Sequence, residues 1–190
     1  MSAKKKIIIA ITGASGMIYA QRFLSKLKEE GIKGQLSDIA LIISENVEEI
    51  WKNEISSGKI SDFGFSVYNN NNFYVPFASG SSAYDLMIII PCSMGTLGRI
   101  ASGVSDNLIC RSADVMFKER KKIIFVIREM PLSLIHINNM KTITETGGII
   151  CPASPGFYNK PQTLTELADT VVERVLDLSG IEHYGKRWKN

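Results

Sequence analysis

The sequence predicts an α/β fold: a single Rossmann-like (flavodoxin-like) domain, a doubly wound parallel sheet with helices on both faces. Three observations predict it. Short apolar runs recur along the chain, at KIIIAI (6–11), IALII (39–43), LMIIIP (86–91), KIIFVI (122–127) and GGIICP (147–152). They are uninterrupted rather than alternating, the pattern of parallel strands buried on both faces. Longer segments with helical spacing lie between them, and strands alternating with helices build a parallel sheet.

The helical segments carry their own apolar stripes. Residues 16–30 place Ile18, Phe23, Leu24 and Leu27 on one side, and residues 163–178 do the same with Leu164, Leu167, Val171, Val175 and Leu178. NNNN (69–72) reads as a solvated turn. No internal repeat or linker divides the chain. Its 190 residues, 45% hydrophobic, suit one domain with a core over about residues 5–178 and a basic tail over 179–190.

Composition narrows the function. The net charge is +3 and much of the excess sits in Lys4–Lys6 and GKRWKN, which gives no broad basic face for nucleic acid. Cys92, Cys110 and Cys151 have neither CxxC nor Cys/His spacing, so a disulfide framework and a zinc site are not expected. KKKIIIAI is too short for a signal peptide and leads into a glycine turn, and no run approaches the ~20 apolar residues of a membrane span. A cytoplasmic protein is expected.

In a doubly wound sheet, ligands bind at the carboxyl ends of the strands. TGASG (12–16) follows the first strand and lets backbone N–H groups approach an anion at the positive end of the next helix, although a plain tight turn has the same composition. Met17, Ile18 and Tyr19 after Gly16 break the G-x-G-x-x-G spacing, and no acidic residue ends the second strand to hold an adenosine ribose. A mononucleotide fits better than a dinucleotide. CSMGT (92–96) repeats the theme after the third strand. Ser93 and Thr96 either cap the following helix or hold phosphate; with Ser44 at the second strand's end, they favour a phosphate-bearing mononucleotide. Cys92 reads as a packed thiol.

Other residues carry two readings. Arg111 and Lys118 lie two helical turns apart with Asp114 between, either a surface ion-pair ladder or a cationic wall for a second phosphate. Arg174 either snorkels or joins that wall. ASGSSA (78–83), after Phe73, Tyr74 and Phe77, is a turn beside core aromatics or a wall for an apolar ligand. His136 and His183 read as structural. No D-D-x-x-D cluster is present to chelate magnesium pyrophosphate, so a departing phosphate would rely on Arg, Lys and hydrogen bonds. Arg128 and Glu129 end the run IIFVIREMP; neighbours on an extended chain face opposite ways, so each needs its own partner.

In order and spacing, TGASG, ASGSSA, PCSMGTL, DNLICRSADVMFKER, REMPLSLIHINNM and CPASPGFYNKPQT resemble the UbiX or Pad-type flavin prenyltransferases, over roughly Ile7 to Arg174. The resemblance implies a metal-independent enzyme that joins the dimethylallyl group of dimethylallyl phosphate to N5 and C6 of reduced FMN. The prenylated FMN would serve a UbiD-type decarboxylase. It also implies a homo-oligomer, a dodecamer with sites at subunit junctions. By resemblance, Gly13, Ala14, Ser15, Ser44, Ser93, Met94, Gly95, Thr96 and Arg128 hold FMN. Arg111, Lys118, Tyr158 and Arg174 grip the prenyl phosphate, with Phe73, Ala78 and Ser79 as the prenyl wall. Ser15, Glu54 and Glu129 handle protons. Phe73 stands where some relatives carry tryptophan, and the NNNN region is unmatched. Three other readings compete: a flavin-dependent cysteine decarboxylase, a direct phenolic-acid decarboxylase and a non-catalytic FMN carrier. No catalytic histidine in the first crevice helix and no P-A-M-N-x-x-M block supports the first.

Overall fold

The structure, a computed structural model, describes residues 4–185; Lys186, Arg187 and Lys189 of the basic tail lie outside the described residues. Six parallel strands form one sheet in the order β3-β2-β1-β4-β5-β6. They are β1 (Lys5–Ile11), β2 (Leu36–Ile43), β3 (Ser66–Asn69), β4 (Leu86–Cys92), β5 (Lys122–Ile127) and β6 (Ile149–Pro152). The helices are α1 (Met17–Leu27), α2 (Glu30–Lys33), α3 (Val47–Glu54), α4 (Met94–Ala101), α5 (Leu108–Lys118), α6 (Leu134–Glu145) and α7 (Leu164–Ser179). The five expected strands are all present. The sixth, β3, escapes the sequence pattern because it is four residues at the sheet edge with only Tyr68 half-buried, so it has no apolar run to declare it.

Alternation along the strands builds the core in two layers. Ile7, Ile9 and Ile11 of β1 join one cluster with Phe23, Leu24, Val172 and Leu176 from α1 and α7. Ile8 and Ala10 join the other with Leu97, Met116 and Phe125. Of the expected helix stripes, Phe23, Leu24, Leu27, Val171 and Val175 are buried, and the stripes differ from the expectation at their edges. α1 buries Met17 and Ala20 while Ile18 stays half-buried, and α7 buries Ala168, Val172 and Leu176 while Leu164 is exposed. Arg22 clamps α1 to α7 through two bonds to Asp169, 2.7 and 2.8 Å long. The expected end of the core at residue 178 also moves: Ile181 is buried, and His183 lies 3.2 Å from Asp177. β1 begins at Lys5, one residue before the expected strand 6–11.

The chain leaves β1 toward β2 and β3 on one side, then returns to add β4, β5 and β6 on the other. The order reverses between β1 and β4, and the crevice above that point is where this topology binds ligands.

Candidate cofactor and substrate site

Thr12 joins the two strands at the reversal. Its buried hydroxyl donates to the Pro91 carbonyl at 2.9 Å and accepts the Ser93 N–H at 2.8 Å. The ends of β1 and β4 are thus held at one height, with the turns that follow them side by side. Sequence reasoning passed over Thr12; the available signal was a hydroxyl residue set between a buried strand and a glycine turn.

The start of α1 already holds an anion, contrary to the open seat expected from TGASG. Gly16 adopts φ 107°, a left-handed conformation that glycine tolerates, and provides no side chain to cap the helix. Glu54, at the end of α3, does so instead: its Oε2 accepts the N–H groups of Gly16 and Met17, both at 2.8 Å. Burial pushes the Glu54 carboxyl up, but the Ser15 hydroxyl, these N–H groups and the Arg128 charge outweigh it and hold the group below the usual carboxylate range. Glu54 thereby fixes the start of α1. Arg128 reaches from the end of β5 to donate from Nε to the Ser15 carbonyl at 2.9 Å. Ser15, Glu54 and Arg128 therefore come together on one chain. Glu129 takes its own partner, accepting the Met130 N–H at 3.0 Å, and is exposed. The two adjacent charges do not pair, as their opposed directions require.

Beside this cluster lies a polar cavity of about 360 Å³ lined by Gly13, Ser44, Ser93, Thr96 and, among others, Asn70 and Arg99. Ser93 caps α4, its Oγ accepting the Thr96 N–H at 3.3 Å while standing 3.1 Å from the Thr96 hydroxyl. Met94 packs into the core. The NNNN turn is more than a solvated turn. The Asn70 carbonyl and Oδ1 accept the N–H groups of Leu108 and Ile109 at 2.7 and 3.0 Å, which fixes the start of α5 and closes one wall. An asparagine run in sequence gives no sign of this because the partner lies 38 residues or more away in the chain.

The expected donor-phosphate residues are spread over three segments, Arg111 and Lys118 at the two ends of α5, Tyr158 after β6 and Arg174 on α7. Arg111 donates to the Ala78 carbonyl and to Asp114, both at 3.1 Å, and Lys118 lies 3.4 Å from Glu119. A Cβ at Gly80 would come within 2.7 Å of Lys118 Nζ, so the ASGSSA segment runs against that lysine. Since α5 rises ~1.5 Å per residue, Lys118 at its end lies roughly 14 Å along the helix from Ile109 in the cavity wall, whereas Arg111 shares the first turn with Ile109. Phe77 is core, packed edge-on to Tyr68 and Tyr84 at 5.0 and 5.3 Å, whereas Phe73, Tyr74 and Ser79 are exposed. Tyr158 folds over Gly156 beyond β6, and exposed Arg174 lies close enough to Cys151 for its charge to offset part of the rise that burial gives that thiol. Burial raises the Cys92 thiol far above its ordinary range, as suits a packed thiol. His136 and Ser133 cap the start of α6 reciprocally. Among the described residues, no three His, Cys, Asp or Glu come together in a way that could hold a metal ion, and no helix is long and apolar enough to cross a membrane.

A doubly wound sheet with a polar, hydroxyl-lined crevice at its reversal point defines a nucleotide-binding α/β protein, and the Flavoprotein family matches it over residues 1–176. The flavin prenyltransferase UbiX of Methanocaldococcus jannaschii is 44% identical over 186 residues, covering 96% of this chain and 98% of its own. The crystal structure of AnUbiX in complex with FMN and dimethylallyl pyrophosphate has a TM-score of 0.86 at 36% identity, covering 97% of this chain and all of that one. A dodecameric FMN-dependent UbiX-like decarboxylase from Escherichia coli O157:H7 has a TM-score of 0.89 at 35% identity with the same coverage. The chain belongs to the UbiX flavin prenyltransferase family.

Proposed function

We propose that the chain transfers a dimethylallyl group from dimethylallyl phosphate to N5 and C6 of reduced FMN, making prenylated FMN for a UbiD-type decarboxylase in the cytoplasm. The carrying observation is the Ser15–Glu54–Arg128 cluster set beside a hydroxyl-lined cavity at the strand reversal. The residues present suit FMN: Ser44, Ser93 and Thr96 offer hydroxyls to a phosphate and ribityl chain, and Arg128 stands at the rim with guanidinium N–H groups beyond the one given to Ser15. When bound, reduced flavin supplies the nucleophilic N5 and the neighbouring C6.

The protein's contribution is position and charge. Holding both reactants at near-attack distance can supply about 7–11 kcal/mol of the barrier in favourable cases. Glu54 fixes the α1 turn and, through it, Ser15 at the rim. Glu129, exposed beside Arg128, donates or relays a proton toward the departing phosphate, and the proton displaced from C6 as the new ring closes goes to Glu54 or to the departed phosphate. Arg111, Lys118, Tyr158 and Arg174 stabilise the charge on that phosphate, and Phe73 shields the allylic cation from water.

We further propose that these donor-side residues meet the flavin side across a junction between copies. α6 and the turn before it expose Met130, Leu134 and Ile135 at 70% or more, an apolar face that association would cover. Incubating the protein with reduced FMN and either dimethylallyl phosphate or the pyrophosphate, then weighing the extracted flavin, tests the reaction. A flavin heavier by one five-carbon unit is expected. Unchanged bound FMN would point to a carrier, and carbon dioxide released from a phenolic or cysteinyl substrate to a decarboxylase.

A further inference from the structure

We infer that Arg99 is a further binding residue of this site, which grips the phosphomonoester of FMN and so selects FMN over riboflavin; this rests on the flavin reading above. The N-terminus of α1 is filled by the Glu54 carboxylate, so a phosphate dianion there would face like charge. The cavity under Ser44, Ser93 and Thr96 is the remaining polar ground, and it is not neutral by itself. Glu45 and Asp106 line it, and both repel a phosphate. Arg99 is the one cation among the described residues lining that cavity.

Its placement suits the task. Arg99 lies one helical turn beyond Gly95, and a Cβ at residue 95 would stand 3.6 Å from Arg99 Nη1, an ordinary contact, so the guanidinium lies over the first turn of α4. The contacts that Arg99 makes are long ones. Nη1 is 3.4 Å from the Gly95 carbonyl and Nε is 3.4 Å from Asp106 Oδ2, with both side chains of that pair about half exposed. Asp106 meanwhile also accepts from Asn107 Nδ2 at 2.9 Å, so it keeps a partner when Arg99 turns away. A guanidinium gains by exchanging such contacts for charge-assisted, bidentate bonds to phosphate. The Ser93 and Thr96 hydroxyls then complete the phosphate's hydrogen bonding from the first turn of α4.

Equilibrium titration of the full chain with FMN and with riboflavin tests this. Arg99→Gln should weaken FMN by about 10- to 100-fold, the loss expected for hydrogen bonds to a charged group, and leave riboflavin unchanged. Asp106→Asn, which removes the competing carboxylate, should tighten FMN and again leave riboflavin unchanged. Wild-type FMN affinity in Arg99→Gln, or an equal loss for both flavins, would overturn the inference. A wild-type chain that takes up neither flavin would overturn the flavin reading and this inference with it, whereas wild-type binding with an indifferent Arg99→Gln would sink Arg99 alone.

Discussion

The two halves of the proposed site are built differently. On the flavin side, residues from β1, α3 and β5 converge on one turn: Glu54 holds two α1 N–H groups and Arg128 holds the Ser15 carbonyl. On the donor side, Arg111 and Lys118 are engaged by Ala78, Asp114 and Glu119, and Tyr158 and Arg174 stand beyond β6 and on α7. A strand reversal gathers whatever follows its strands, which is why Ser15, Glu54 and Arg128 meet within one chain. Residues along the length of a helix have no such focus, and in the proposed assembly they meet the flavin across a second copy.

The largest effect expected from separating these halves is at Glu129. Glu129→Gln should retain FMN and slow prenyl transfer by about 10²–10⁴-fold, the range of a lost general acid. Single-turnover flavin mass analysis measures it, and unchanged turnover would remove the acid role. Next comes the division between copies. Arg128→Ala and Lys118→Ala chains, each inactive alone, should regain activity when co-assembled, at about a quarter of sites if pairing is random. A mixture that stays inactive would place both halves of the site within one chain. A smaller effect is expected at Arg111. Arg111→Ala should weaken the prenyl donor about 10-fold or more while FMN affinity holds, since it removes a cation from one phosphate only. Equal loss of both ligands would erase the distinction between the halves.

The strands that carry the flavin side were legible because burial on both faces leaves a continuous apolar run, as at Ile7–Ile11 and Ile123–Ile127. β3 was not, being an edge strand with mostly exposed residues. Among site residues, hydroxyls and glycines at strand ends are visible in sequence because the fold rule says where to look. What each one bonds is not. The TGASG turn reads as an open anion seat, yet the anion it holds comes from Glu54, 38 residues further on. Thr12 and Asn70 matter through partners 79 and 39 residues away. The Arg111–Asp114–Lys118 spacing gave two readings, and the single chain carries the ion-pair one at Arg111. Spacing fixes the face of a helix, but the identity of what packs against that face is a tertiary fact.

The smallest expected effect concerns Glu54 as a cap, and it carries a sign. Its carboxyl is held below the usual range, so its contribution to stability is fully present above the unfolded carboxylate pKa of about 4.3. That contribution fades as pH falls through the lower folded value. Glu54→Gln keeps the shape but loses the charge at the α1 N-terminus, at a cost of about 1 kcal/mol, or about 2–4 °C in Tm for a chain of this length. The gap in Tm between wild type and variant should be full at neutral pH and close as the pH is lowered through the depressed folded value, where the carboxylate protonates. A gap that stays constant down to acid would mean that the variant acts through packing and that the charge of Glu54 at the α1 N-terminus contributes no stability.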